Sequence, residues 1–359
     1  PTPTSIPTAT PTPPGSPASG LPAGWHVVLM PGLSTPDSMA FAPSAPQTEF
    51  SCANVNAATL VVDGSNDSGS TWHTLITKPA SASGHCFVTV DPTNARDVVA
   101  VDAETYTFVL IRSLDGGASW TQQSFAPQSY GWQQMGWAGS TLLLSTNLED
   151  GGSPDTHVYA SVASGPFTRI DHNGQFGGQS ISNLAAILFG GTTSTYYAGF
   201  SVNASPAAVQ SIYFKSVNAG ATWTPVRFFD GARAIDPVLI SPNGRGIVAV
   251  YSNAPSTLTV SLDGSQTWQA TPAPPIGAQL DLGKLALGAD GTLFAPSTKM
   301  NVISQADLNE YTTRPGAASW SVALTFPTDP YYLGATLDAS GRVNALWATY
   351  IMQPIEHPL

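Results

Sequence analysis

Charge is what this chain has least of. Only 10% of its 359 residues are Asp, Glu, Lys or Arg, against about a quarter in an average soluble protein. Lys and Arg together number 12 against 23 acids, a net charge of −11. Nucleic-acid binding needs clustered basic residues to neutralise phosphates, and none occurs, so that class is excluded. The same deficit argues against docking on anionic membranes. The acidity most simply serves solubility. Cysteine is nearly absent: Cys52 and Cys86 are too few for a disulfide scaffold and form no metal-type Cys-x-x-Cys pair. In an exported protein one disulfide between them is expected, with two buried thiols as the other reading. No apolar run reaches the roughly 18 residues of a membrane span, so no insertion is expected within this chain. Stretches with helical periodicity and flanking caps are also missing.

What remains is turn-rich and apolar. Hydrophobic residues make up 42%, enough for a sizeable core, and 33 Gly and 31 Pro punctuate the chain. With so few charges, the polar surface must come from Ser, Thr, Asn, Gln and Gly, as in many secreted β-proteins. Residues 1–23 are a Pro/Thr/Ser low-complexity segment. Proline without backbone donors favours extended polyproline II and forms no core. The preferred reading is a semi-rigid stalk open to O-glycosylation, the other a plain disordered linker; both place residues 24–359 outside the cytoplasm. The chain opens on Pro1 without a signal peptide. The expectation is a mature form or a fragment, secreted or tethered to a cell surface by an upstream segment.

Then the sequence repeats. Ser65-Asn66-Asp67-Ser68-Gly69-Ser70-Thr71-Trp72 reads S-x-D-x-G-x-T-W. Ser113, Asp115, Gly117 and Trp120 repeat it with Ser119 for Thr. Ser216, Asn218, Gly220 and Trp223 repeat it with Asn for Asp; Ser261, Asp263 and Trp268 repeat it with Ser265 for Gly. An eroded copy ends at Trp320, and Phe167 stands where a sixth would place its Trp. Successive spacings are 48, 47, 56, 45 and 52 residues, a period that signals a propeller or an array. The eight residues suit a β-hairpin turn: Asp or Asn accepts backbone N–H groups, Gly supplies positive φ, Ser and Thr bond locally, and Trp opens the outgoing strand and packs between sheets.

Upstream of each copy lie two strands joined by a tight turn, as in Phe87–Val90 and Val98–Val101, or Val238–Ile240 and Ile247–Val250. Two strands plus the hairpin make a four-stranded antiparallel blade. Inner strand pairs start near residues 39, 86, 133, 184, 236, 282 and 333. The expected fold is therefore all-β: a single seven-bladed β-propeller whose last blade is closed by the N-terminal strand Trp25–Leu29. Six blades with an appended hairpin is the alternative count.

These copies resemble the Asp-box, or bacterial neuraminidase, repeat. The run from Val90 to Trp120 is most similar to repeats of the sortilin, xyloglucan-hydrolase and photosystem II assembly-factor type. The resemblance covers about residues 25–350. It implies that the boxes sit on outer hairpin turns away from the ligand face, so that Asp67, Asp115, Asn218 and Asp263 are structural. It does not fix function. A sialidase would need an arginine triad and an Arg-Ile-Pro type motif before the first box. No arginine precedes Trp72, the first being Arg96, and only eight occur in all. Sialidase activity is not expected.

Candidate chemistry falls on loops between blades. Acids there are Asp37, Glu104, Glu149, Asp150, Asp155, Asp171, Asp230, Asp236, Asp281 and Asp329. No spacing singles out a general acid/base pair. Glu149, Asp150 and Asp155 beside His157, with Asp171 beside His172 at the next blade boundary, offer carboxylate oxygens to a cation such as calcium, yet match no calcium-loop spacing; an ordinary loop and no cofactor are expected. A second group is aromatic: Tyr130 and Trp132 beside Gln133 and Gln134, Phe228 and Phe229 beside Asp230, and Asp329 before Tyr331 and Tyr332. Placed before inner strands, these would ring one face, where aromatics beside acids and amides suit sugar rings or a peptide; packing of the blade tops is the competing reading. The expectation is a monomeric, non-catalytic recognition domain for glycan or extracellular protein. A propeller-family glycoside hydrolase or lyase using loop carboxylates is the alternative, and a structural or assembly role the third reading.

Overall fold

The computed structural model describes residues 37–42, 44–55, 59–79, 85–103, 108–123, 132–150, 153–170, 184–192, 194–205, 208–229, 235–240, 246–251, 257–275, 280, 285–288, 290–296, 309–325, 330–337 and 343–349. The proposed stalk and the Trp25–Leu29 strand lie outside them. Every helix or strand assigned among the described residues is a β-strand. The first sheet holds β1 (Ser38–Ala42), β2 (Ala45–Val55), β3 (Thr59–Ser65) and β4 (His73–Pro79). The second holds β5 (His85–Asp91), β6 (Asn94–Ala103), β7 (Phe108–Ser113) and β8 (Thr121–Gln123). The third holds β9 (Trp132–Ala138), β10 (Thr141–Asp150), β11 (Ser153–Val162) and β12 (Thr168–Arg169). The fourth holds β13 (Leu184–Gly191), β14 (Tyr196–Ser205), β15 (Ala208–Ser216) and β16 (Thr224–Phe229). The fifth holds β17 (Ile235–Ile240), β18 (Ile247–Tyr251), β19 (Thr257–Ser261) and β20 (Gln269–Ala270). The sixth holds β21 (Ala286–Leu287), β22 (Leu293–Pro296), β23 (Asn309–Thr313) and β24 (Ser321–Thr325). A seventh pairs β25 (Pro330–Leu337) with β26 (Val343–Thr349). Each sheet is an antiparallel meander in chain order.

The sheets pack face to face in sequence. β1 lies against β5, β9 against β13, β13 against β17, and β25 against both β21 and β1, so first strands meet first strands and the series returns on itself. Burial explains why the strands read as near-continuous apolar runs rather than alternating ones: each sheet has a neighbour on both faces. In the second sheet Val98, Ala100 and Ile111 join Phe50, Cys52, Leu60 and Val62 in one apolar seam. Val99, Val101 and Leu110, one residue out of phase, join Trp137 and Leu142 in the next. Similar seams join the third and fourth sheets through Leu143, Tyr196, Phe214 and Trp223, and the fifth and sixth through Val260, Leu287 and Tyr311. Burying such a side chain contributes about 1.5–3 kcal/mol. Cys52 on β2 and Cys86 on β5 form the expected disulfide, Cα atoms 5.5 Å apart, across the first seam.

The repeated eight-residue turns join the third strand to the fourth. In the first, Ser65 Oγ donates to Asp67 Oδ1 and accepts Gly69 N–H at 2.9 Å, while Asp67 accepts the Thr71 N–H at 2.8 Å and its hydroxyl at 2.6 Å. The second repeats this through Ser113, Asp115, Gly117 and Ser119. In the fourth sheet Asn218 serves, its Oδ1 accepting Thr222 N–H and its Nδ2 donating to the Thr222 hydroxyl. Trp120, Trp223 and Trp320, with Phe167 in the third sheet, pack toward the preceding sheet and join those seams.

The fifth turn position needs glycine for two reasons. Its φ is +76° at Gly69, +95° at Gly117 and +87° at Gly220, a region that L side chains disfavour. A Cβ on Gly117 would also stand 2.5 Å from Leu75 Cδ1 of the preceding sheet, and one on Gly220 2.8 Å from Ile170 Cδ1. Ser265 occupies this position at φ +73°, so it carries the backbone strain. Gly117→Ala is expected to destabilise by about 2 kcal/mol and Ser265→Gly to stabilise by about 1 kcal/mol, read from urea midpoints. A Gly117→Ala variant as stable as the parent would contradict this origin of the glycine preference.

The same turns set an acid limit. The Ser119 hydroxyl and then its N–H hold the Asp115 carboxylate down at about 2. The Thr267 hydroxyl and N–H do the same for Asp263, also about 2. Carboxylates depressed by folding stabilise the native state above their unfolded value, near 3.9, and lose that contribution as pH falls toward 2. Stability should drop across this window in pH-dependent thermal melts. Asp115→Asn/Asp263→Asn, which copies Asn218, should flatten the drop while preserving the fold at pH 7.

Candidate functional site

In a four-stranded meander the start of the first strand and the end of the fourth share one end, and the turn between the third and fourth strands lies at the other. The sequence-derived candidates divide accordingly. Trp132 opens β9 opposite Thr146, and Gln133 follows it. Asp236 is second in β17, opposite Val250. Tyr331 and Tyr332 are second and third in β25, opposite Ala348 and Trp347. These positions on the third, fifth and seventh sheets lie on first strands, around the axis, at the end away from the eight-residue turns. Phe229 lies on a fourth strand. It closes β16 opposite Ser211, so it shares that end but sits on the outermost strand of its sheet, because the Phe228-Phe229 pair continues the fourth strand instead of leading into the next first strand. Tyr130, Asp171, His172 and Asp230 lie outside the described residues, as do Glu104, Asp281 and Asp329.

The acidic segment is not a loop. Leu148 pairs with Asp155, Glu149 with Pro154 and Asp150 with Ser153, so β10 and β11 continue as a hairpin beyond the start of β9 at the same end. Strand pairing places these acids along a two-stranded ribbon. His157 is buried within the sheet, edge-on to Tyr159 at 6.4 Å between ring centres. Asp37 is occupied by backbone contacts. Its carboxylate accepts the Asn54 N–H at 2.8 Å and the Cys86 N–H at 3.1 Å, stitching the first sheet to the second. Among the described residues no group of three or more His, Cys, Asp and Glu is gathered for a metal.

Two buried polar groups are not apparent from the sequence. Arg112, 1% exposed, grips Asp97 with two bonds of 2.7 and 2.6 Å, donates to Ser161 Oγ at 2.9 Å and lies 5.5 Å from the Trp137 ring centre. It thus ties the second sheet to the third. The signal in the sequence is an arginine ending an apolar strand immediately before the turn serine. Glu49 and Asp63, on β2 and β3, are likewise buried. Burial and the nearby Asp67 charge push Glu49 up to about 7, and burial raises Asp63.

No protein-family model matches the chain, and no curated protein matches it. Solved structures do. YCF48 bound to D1 peptide superposes with a TM-score of 0.58 at 13% identity, over 92% of this chain and 96% of that one. An oligogalacturonate lyase from Vibrio parahaemolyticus gives 0.56 at 11% identity, over 86% and 84%. The β-propeller domain of the Trilobed protease from Pyrococcus furiosus gives 0.52 at 9% identity, over 81% and 84%. The chain is an all-β protein with a β-propeller fold.

Proposed function

We propose that this propeller is a non-catalytic recognition domain, secreted or held at a cell surface, that binds glycan or protein at the end of the ring opposite the eight-residue turns. The observation that carries the reading is the placement of Trp132, Gln133, Asp236, Tyr331 and Tyr332 on first strands of three sheets at that one end. Aromatic and amide groups around a shared axis suit stacking on sugar rings or gripping a peptide. On this reading the turns are Asp-box repeats, the ring has seven blades, and Trp25–Leu29 completes the β25–β26 sheet. The Cys52–Cys86 disulfide supports an oxidising compartment, and residues 1–23 would hold the domain away from its anchor. The protein acts as a monomer.

Propellers alike in fold take a peptide in YCF48 and belong to a lyase in Vibrio, so fold does not choose between binding and catalysis. The Glu149–Asp155 hairpin at the same end favours, as the second reading, a hydrolase or lyase using its carboxylates. A glycan-array screen of the full chain, with mass spectrometry of the bound sugars, separates the two. The expected result is binding with intact sugars; product masses would overturn it. Binding should weaken by about tenfold or more in Trp132→Ala or Tyr331→Ala, the loss of one stacked ring at a site.

A further inference from the structure

Register identifies three positions that recur in every sheet with a recognisable turn. The first pairs with the residue that opens the turn, normally Ser; the second and third pair with each other two residues further in. They are Val98, Ala100 and Ile111 in the second sheet, Tyr196, Ala198 and Phe214 in the fourth, Ile247, Ala249 and Thr259 in the fifth, and Leu293, Ala295 and Tyr311 in the sixth. In the second, fourth and sixth sheets these residues lie in the apolar clusters. In the first sheet the same positions hold Glu49, Ser51 and Asp63.

These three are buried as deeply as the apolar residues they replace, at 5%, 0% and 2% exposure. Glu49 Oε2, Ser51 Oγ and Asp63 Oδ2 have no hydrogen-bond partner. Asp67 does not join them, since the Ser65 and Thr71 hydroxyls and the Thr71 N–H take its oxygens. Ser51 and Asp63 are directly opposed, and Glu49 is two residues before Ser51 on its strand, so the three side chains neighbour one another on one face of the sheet. A buried carboxylate is costly while charged unless a proton neutralises it or a cation pairs with it. The ligands are all oxygen, and two carry charge, which selects a hard cation over a thiophilic or imidazole-seeking metal.

We propose that Glu49, Ser51 and Asp63 bind a calcium ion in the seam between the first sheet and the β25–β26 sheet, where the ring closes. Calcium accepts six to eight oxygens in flexible geometry, and water and backbone carbonyls complete the set. Two carboxylates place the affinity near that of extracellular modules, roughly 10⁻⁴–10⁻³ M. The ion would bridge a seam that apolar packing closes elsewhere in the ring.

The test is thermal unfolding of the chelator-treated full chain, titrated with calcium chloride to about 10 Kd, with sodium chloride at matched ionic strength as the control. Calcium should raise Tm and sodium should not. Glu49→Gln and Asp63→Asn should abolish the rise. Terbium provides a readout on the unaltered chain: sensitised emission that calcium displaces is expected. Absence of both the calcium-dependent rise and displaceable terbium emission would overturn the proposal. So would a rise that persists unchanged in Asp63→Asn. The triple variant Glu49→Val/Ser51→Ala/Asp63→Ile, which installs the second sheet's residues, should unfold at one temperature with or without calcium; a calcium response there would also contradict it.

Discussion

Arg112→Ala is expected to lower stability by about 3–5 kcal/mol, the largest effect expected of any single substitution in this chain. The reason is what it leaves behind. Asp97 is 4% exposed and bonded to the guanidinium through both oxygens, and Ser161 and the Trp137 face are the arginine's other contacts in the third sheet. Removing the cation strands a buried carboxylate, and that penalty exceeds the net worth of the pair itself. Arg112→Lys should recover little, because an ammonium cannot reproduce the two-pronged contact. Arg112→Met/Asp97→Leu should recover most of the loss, since apolar groups of similar volume replace a buried pair at little cost. Urea denaturation with an unchanged slope measures all three. A loss under about 1 kcal/mol for Arg112→Ala would mean that water reaches Asp97.

Breaking the disulfide should rank next, at about 2–4 kcal/mol. Cys52 and Cys86 are 34 residues apart in sequence and fully buried. The bond links a second strand to the first strand of the next sheet, and the Asp37 carboxylate secures the same junction through the Cys86 N–H. Its loss therefore acts on the unfolded chain, by releasing a closed loop, and leaves the folded seam nearly intact. Cys52→Ala/Cys86→Ala should fold, with a lower urea midpoint and a somewhat higher slope as the denatured state expands. An unchanged midpoint would show that Asp37 and the apolar seam suffice to hold the junction.

Much of this architecture is legible in the residues. The inner strands expected near 39, 86, 133, 184, 236, 282 and 333 begin at Ser38, His85, Trp132, Leu184, Ile235, Ala286 and Pro330. The turns can be read because their chemistry is local: Ser, Asp or Asn, Gly and Thr satisfy one another within eight residues, without help from the rest of the chain. The strand that holds Phe229 is not legible in the sequence, because two aromatics after a turn fit either a fourth strand or the lead into a first strand. Arg112 and Glu49 stay hidden for a different reason. When both faces of a sheet are buried, alternation no longer distinguishes inside from outside, and a charged residue in an apolar strand shows its partner only once the sheets are stacked. The polar triplet of the first sheet is visible only in register, with Glu49 set opposite Ser65 as Val98 is opposite Ser113.

On the proposed reading the two ends of the ring divide the labour, ligand at one and turn chemistry at the other. The most direct test compares variants of each end in one binding titration with parallel melts, using a ligand taken from the array. Trp132→Ala and Tyr331→Ala should weaken binding while leaving Tm nearly unchanged. Asp263→Ala should lower Tm and leave Kd unchanged at a temperature where the protein is folded. Binding lost in folded Asp263→Ala and retained in both aromatic variants would place the ligand at the turn end and contradict this division.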